Sequence, residues 1–380
     1  MEFLLKIYRF FLSVTSIFRI NLFIFFKKKI QQKKIIFFYF PVKSYQENIL
    51  ELIDELKENN QFTILLGYNA STFQEINKYN NSFFLNLGYL KYIYNIDIFL
   101  SSYVVYNLPN ASNKVYINHD IYDTPMVNEK NEKNLIYALN KCNYIFLSSE
   151  IAIIALEKKI NLYLEDNDKK NLKLINTGYL KLDHVHKKVY KSSISEDSIL
   201  LAPTLSSMFL EYNLSPFLDE IIHEILNDKK FKLIYRPHPG DTKNNHIKKI
   251  KEKFTSNKNF FLDLNTSYLD SYAKSKILIT DFSGTAYTYA FSKLRPIIFI
   301  SRNERVLKQS NLNDLYFFKD RHYVGEIIEN IYDINNEIYN IYDKINAYSE
   351  IIKKLREKRI KYFNDSIKQN FMNIKNILEN

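Results

Sequence analysis

The chain has 380 residues, 46% hydrophobic and 25% charged, which is apolar material enough for two packed domains and too much for a disordered polymer. Its one cysteine, Cys142, excludes an internal disulfide framework, and no Cys/His cluster with zinc spacing occurs. The net charge of +11 is concentrated at one end, where residues 1–34 hold eight Lys or Arg and one acid. That placement points to an anionic membrane surface and away from a nucleic-acid partner, whose binder would carry its charge as a stripe on a folded face.

Wound at about 100° per residue, residues 3–26 gather Leu4, Ile7, Phe11, Val14, Phe18, Leu22 and Phe25 on one face, with Lys6, Arg9, Ser13 and Ser16 opposite. Lys27–Lys29 follow. The pattern is that of an amphipathic helix at a membrane interface. Arg19 interrupts the apolar run that a spanning helix needs, and no small-residue cleavage site marks a signal peptide. A helix packed on the protein's own core is the plainer alternative.

From residue 34 onward, short apolar runs alternate with helical patterns. Strands are expected at Lys34–Phe40, Phe62–Leu66, Asp97–Ser101, Val115–Asn118, Tyr144–Leu147 and Leu172–Ile175, with helices such as Tyr45–Glu58, Glu132–Lys141 and Glu150–Ile160 between them. The polar stretch Lys187–Asp197 reads as a linker. A second series follows, with strands at Ser198–Ala202, Phe231–Tyr235, Phe260–Asp263, Lys276–Thr280 and Pro296–Ile300. Its helices are expected at Ser206–Leu226, Asp241–Phe254, Ser267–Ala273 and Gly284–Ser292. The strands are continuous and rich in Ile, Leu and Phe, as strands buried on both faces are. The expected architecture is α/β: a helix over 1–30, doubly wound lobes over 31–190 and 191–350 facing across a cleft, and a terminal helix over 351–380.

Ligands of such sheets bind beyond the carboxyl ends of the strands, where helices begin. Three stations lie there. In Tyr235-Arg236-Pro237-His238-Pro239-Gly240 two prolines fix a turn that holds His238 at a strand end, in position to bond a phosphate; the bland reading is a surface histidine. In Ile279-Thr280-Asp281-Phe282-Ser283-Gly284-Thr285 a buried strand runs into a helix start whose free N–H groups and Ser283 and Thr285 hydroxyls make an anion site. Asp281 is suited to orienting the loop or a ligand hydroxyl, and plain N-capping is the alternative. In Val115-Tyr116-Ile117-Asn118-His119-Asp120 a histidine again follows a strand, with Asp120 or Asp123 able to orient it. On the lobe opposite the phosphate site, His119 suits removal of a proton from an acceptor hydroxyl; a solvated loop histidine is the alternative. His184 and His186 have no third ligand nearby in sequence, no Walker loop or Gly-x-Ser-x-Gly elbow occurs, and no metal cage is evident.

These stations, with Asn176-Thr177-Gly178-Tyr179-Leu180-Lys181-Leu182-Asp183, Leu201-Ala202-Pro203-Thr204 and Arg295-Pro296-Ile297-Ile298-Phe299, form an ordered set over residues 115–325. The set resembles the CDP-glycerol glycerophosphotransferase family of teichoic-acid and capsule-type polymerases and primases. Asn118-His119-Asp120 stands where that family usually has Trp-His-Gly, and Ser283-Gly284 where it has paired serines. The resemblance implies two Rossmann-like lobes of glycosyltransferase-B type, an acceptor-side lobe first and a CDP-donor-binding lobe second. It implies catalytic roles for His119, as base for the acceptor hydroxyl, and His238, at the donor pyrophosphate. Donor and phosphate binding fall to Arg236, Asp281, Ser283, Gly284 and Thr285. The partners implied are a CDP-activated alcohol and a lipid-linked or polymer acceptor. The site of action is the cytoplasmic face of the membrane, with neither metal nor cofactor needed and CMP released. A nucleotide-sugar glycosyltransferase of the same fold is the main alternative, and a membrane-attached binding protein that has lost catalysis is the non-enzymatic one.

Overall fold

Unbroken runs of Ile, Leu and Phe become the inner strands of two parallel sheets, with helices on both faces. The computed structural model describes residues 2–41, 47–69, 79–123, 129–169, 171–190 and 197–379, with side chains described from residue 7 apart from those of 47, 48, 129 and 130. The chain divides into unit 1 (residues 1–119, 128–181 and 362–380) and unit 2 (residues 120–127 and 182–361).

Unit 1 contains β1 (Lys34–Phe40), β2 (Phe62–Tyr68), β3 (Ser82–Phe84), β4 (Ile96–Ser101), β5 (Ala111–Ile117), β6 (Tyr144–Leu147) and β7 (Lys173–Asn176). They form one parallel sheet in the order β3-β2-β1-β4-β5-β6-β7, which reverses direction between β1 and β4. The two-residue period of β1 is used on both sides. Ile36, Phe38 and Phe40 pack with Ile49, Leu52, Ile53 and Leu56 of the helix Glu47–Lys57 and with Ile374, Ile377 and Leu378 of the helix Ser366–Glu379. Ile35, Phe37 and Tyr39 pack with Leu85, Leu90 and Ile93 and with Ile20 and Ile24 of the first helix.

That first helix, Glu2–Lys29, seats its small-residue side: Ser13, Ser16, Ile20 and Ile24 are buried against unit 1. Polar ties run along its length. The Asn86 N–H donates to Ser13 Oγ (3.4 Å), Asn21 Nδ2 donates to the Tyr92 carbonyl (2.9 Å), the Tyr94 N–H donates to Asn21 Oδ1 (3.0 Å), and Lys28 Nζ pairs with Asp97 at 2.9 Å. The opposite side, Phe11, Val14, Phe18, Leu22 and Phe25, faces outward, with Phe18 70% exposed. The face whose serines read from sequence as the polar one is therefore the face that packs.

Gly178, between β7 and the helix Leu180–Val189, has φ +77°, and a Cβ there would lie 2.9 Å from Tyr362 Cβ and carbonyl oxygen. Only glycine meets both the left-handed backbone and the returning C-terminal segment.

Unit 2 contains β8 (Ser198–Leu201), β9 (Lys232–Tyr235), β10 (Phe260–Leu262), β11 (Ser275–Thr280), β12 (Ile297–Ile300) and β13 (Gly325–Ile328). The parallel order is β10-β9-β8-β11-β12-β13, so β8 and β11 flank the switch point. Residues Asp120–Asp123 belong to this unit: the Tyr122 ring lies 4.4 Å from that of Tyr287, and the Asp123 carboxylate accepts the N–H groups of Tyr316 and Phe317 at 2.9 Å each.

Three sequence expectations change. The helix expected over Ser206–Leu226 begins only at Leu218, because Pro216 opens the 3-10 turn Ser215–Phe217 and the residues before it form a loop held by buried carboxylates. The edge strands β3 and β13 were not anticipated; Ser82-Phe83-Phe84 and Gly325-Glu326-Ile327-Ile328 offer only two consecutive apolar residues within each strand, short of the continuous run that marks the inner strands. Of the stretch read as a linker, Lys187–Val189 end a helix, and residues 191–196 lie outside the described residues, as do 45 and 46 at the expected start of the second helix.

Candidate active site

In unit 2 the loops following β8, β9 and β11 lie side by side at the carboxyl edge of the sheet, because those strands are neighbours. Thr280 Oγ1 donates to the Ala202 carbonyl (2.6 Å), and the Arg236 N–H donates to the Leu201 carbonyl (2.9 Å), so the three strand ends are tied at their exits.

The turn after β9 presents His238, half-buried. Its Nδ1 accepts the Gly240 N–H at 3.1 Å, which in the neutral ring leaves the proton on Nε2. The imidazole is thus set up as a donor at Nε2, the polarity a phosphate oxygen requires. Leu205, from the loop after β8, reaches over this turn: a Cβ on Gly240 would meet its Cδ1 at 2.7 Å.

After β11, Ser283, Gly284 and Thr285 are half-buried and open the helix Thr285–Lys293, whose remaining residues are all buried. The Thr285 N–H lies 3.4 Å from Ser283 Oγ, and Tyr272 Oη donates to Thr285 Oγ1 at 3.3 Å. Burial pushes the Tyr272 hydroxyl up to about 12, so it stays a proton donor. The helix start combines first-turn N–H groups, two hydroxyls and the positive end of a helix dipole, a set that suits a phosphate.

Sequence points to Arg236 and Asp281 as donor ligands; in the structure their polar groups are engaged inside unit 2. Arg236 is buried, with Nη1 on Asp263 (2.5 Å) and the Ser267 carbonyl (3.1 Å) and Nη2 on the Thr266 carbonyl (3.0 Å). It braces the loop beyond β10. Asp281 is 1% exposed, and its two oxygens accept the N–H groups of Thr204 (2.8 Å) and Leu214 (3.1 Å). Burial raises its carboxyl to about 6, against the pull of those two N–H groups.

His119 stands in unit 1, just past β5, and is the last unit 1 residue before the chain enters unit 2. Its Nδ1 lies 3.1 Å from the Tyr116 hydroxyl, and the Tyr179 hydroxyl donates to its carbonyl oxygen. Tyr116 and Tyr179, neither singled out from sequence, therefore hold the ring and the backbone of this histidine. Asp123, a candidate orienting group, is given over to Tyr316 and Phe317. His186 Nδ1 lies 2.8 Å from the Ser292 carbonyl, a packing contact. Among the described residues no group of three His, Cys, Asp or Glu is placed to hold a metal ion.

Sequence reasoning also missed Ser206, Asn213, Asp241 and Asn244, which form a polar cluster between the loops after β8 and β9. The one available signal was that Asp241 directly follows the rigid Pro-His-Pro-Gly turn.

The sequence profile described as CDP-glycerol:poly(glycerophosphate) glycerophosphotransferase matches residues 20–374. No curated protein matches by sequence. Among solved structures, the wall teichoic acid polymerase TagF in a crystal soaked with CDPG superposes with TM-score 0.59 at 14% identity, covering 98% of each chain. MnaA of S. aureus with UDP gives 0.60 at 14% identity, covering 91% of this chain and 97% of that one. A UDP-N-acetylglucosamine 2-epimerase of Listeria monocytogenes, described as putative, gives 0.59 at 13%, covering 89% and 94%. At these identities the structural likeness concerns the fold: two parallel α/β sheets in doubly wound order.

Proposed function

Because the chain belongs to the CDP-glycerol:poly(glycerophosphate) glycerophosphotransferase family, we propose that it transfers a glycerophosphate-like unit from a CDP-alcohol to a hydroxyl of a membrane-associated surface polymer of teichoic-acid or capsule type. The observation that carries the reading is the family match across nearly the whole chain. The helix start at Ser283–Thr285 and the His238 imidazole, both at the carboxyl edge of the unit 2 sheet, support it from the side of chemistry.

The acceptor oxygen attacks the distal phosphorus of the donor, the bond from that phosphorus to the bridging oxygen breaks, and CMP departs. His119, with Tyr116 at Nδ1, takes the acceptor proton. His238 donates from Nε2 to a phosphate oxygen, while Ser283, Thr285 and the first-turn N–H groups spread the charge of the departing nucleotide. Arg236 and Asp281 hold the walls of this site from behind. No metal or cofactor enters the proposal.

The helix Glu2–Lys29 supports peripheral attachment at the cytoplasmic membrane face. The segment Ile7–Lys29 is long and apolar enough to cross a bilayer. Its serine side is nevertheless tied to unit 1 at Ser13, Asn21 and Lys28, which leaves a single apolar face for lipid. A helix held in this way lies in the interface, with Lys27 and Lys29 among anionic headgroups.

The test is incubation with CDP-glycerol, CDP-ribitol, UDP-sugars and GDP-sugars together with membrane acceptor, with products identified by mass spectrometry. Mass added as glycerophosphate or ribitol phosphate supports the proposal. Transfer from a UDP-sugar or GDP-sugar alone would replace it with glycosyl transfer on the same fold.

A further inference from the structure

We propose that the loop Thr204–Leu214 is a preformed wall of the donor site and that Asp241 is the positioning residue that sets its seat against His238. The inference rests on the donor-site reading above. Its structural half can be tested without any substrate.

The loop is closed by Asp281, whose two oxygens take the N–H groups of Thr204 and Leu214, its first and last residues (2.8 and 3.1 Å). Inside it, Asn213 Nδ2 donates to the carbonyls of Ser206 (2.9 Å) and Met208 (2.7 Å). The result is a compact loop filled by its own side chains. Phe209 at its tip has φ +50°, a left-handed conformation that a bulky residue adopts only where its surroundings enforce it. The rings of Phe209 and Tyr212 meet the edge of Phe282, at 5.9 and 5.2 Å between centroids, and Phe282 lies between Asp281 and Ser283 in the phosphate-site segment.

Asp241 makes the second attachment. It is 6% exposed, and its carboxylate accepts the Ser206 N–H (2.8 Å), Ser206 Oγ (2.5 Å) and Asn244 Nδ2 (2.7 Å). Its own N–H donates to the His238 carbonyl at 2.8 Å, one residue from the Gly240 N–H that fixes the His238 ring. Leu205 covers Gly240 from the loop side, its Cδ1 2.7 Å from where a Cβ would stand. One short carboxylate therefore links the loop after β8 to the turn that aims the imidazole. A shift of Ser206 is transmitted to His238 through a buried carboxylate held by three hydrogen bonds. Displacements of about 1 Å in such groups cost roughly 100-fold in rate.

The experiment compares wild type with Asp241→Ala, Asp241→Asn and Ser206→Ala in steady-state transfer from CDP-glycerol and in amide hydrogen exchange over 204–214 and 238–241. We expect Asp241→Ala to lower kcat by about 10- to 100-fold, with a smaller change in the KM for acceptor. Asp241→Asn, which keeps one acceptor oxygen, should recover part of that loss, and Ser206→Ala, which removes the hydroxyl's bonds to Asp241 and Asn244 but keeps the Ser206 N–H, should fall in between. Exchange should quicken in both segments together. Wild-type kcat in Ser206→Ala and either Asp241 variant, or faster exchange in one segment without the other, would overturn the coupling. If wild type itself does not use CDP-glycerol, the donor reading fails, and the exchange data alone decide whether Asp241 joins the two segments.

Discussion

The two histidines are held by different devices. His238 has its Nδ1 occupied by a backbone N–H within its own turn, which fixes a donor at Nε2. His119 has a tyrosine hydroxyl at Nδ1, which can follow the ring through a change of protonation. The first arrangement suits charge stabilisation and the second suits a base. Changing either to alanine is expected to lower turnover by about 100-fold or more without loss of fold, measured as initial rate beside a circular dichroism melt. Asp281 makes a separate prediction. Its carboxyl is at about 6 when folded against an ordinary 3.8, so between those values the native state holds a proton that the unfolded chain has released. Its contribution to stability is complete below the lower value and is lost as pH rises through the upper one, about 3 kcal/mol in all. Urea midpoints of wild type should therefore fall between about pH 4 and pH 6 relative to those of Asp281→Asn, and level off above that. A gap that stays constant over that range contradicts the assignment.

Among the elements, the first helix shows a face that reads as polar from sequence serving as the packing face. The wheel separates Phe11, Phe18 and Phe25 from Ser13 and Ser16, and that separation holds; yet the serines pack, because small side chains let the helix approach the sheet. The aromatic row is left exposed, and the proposed membrane attachment assigns it to lipid. Phe18→Glu with Phe25→Glu removes two large apolar groups from that row, each worth roughly 2 kcal/mol when buried. Binding to anionic vesicles should drop at least tenfold, with turnover on a soluble acceptor analogue retained; unchanged sedimentation with vesicles would refute a lipid-facing role. β1 and β6 were legible to the residue, because buried parallel strands are continuous apolar runs. The loop Thr204–Leu214 was not. Met208, Phe209, Tyr212 and Leu214 imitate a helical stripe, and the carboxylates that keep the segment from coiling come from positions 35 and 67 to 77 residues away. For the same reason motif reading pointed to His238, Ser283 and Thr285 as candidates and passed over Asp241. The former sit at strand ends, which sequence marks, while Asp241 owes its part to a partner that only the fold supplies.

At the level of the whole molecule, neither unit is one continuous piece of chain. Unit 1 is completed by residues 362–380, whose Ile374, Ile377 and Leu378 enter its core, and unit 2 takes up residues 120–127 directly after His119. The residue proposed as base is thus followed at once by a segment embedded in the unit whose loops are proposed to bind the donor, through Tyr122 on Tyr287 and Asp123 on Tyr316 and Phe317. The central claim is chemical: transfer breaks a phosphorus–oxygen bond and not a carbon–oxygen bond. A single donor decides it. Purified protein is incubated with CDP-glycerol and acceptor, and the released nucleotide is identified by chromatography. Attack at the distal phosphorus releases CMP, one for each glycerophosphate added, and this is the predicted result; release of CDP would mean attack at the glycerol carbon and would contradict the account.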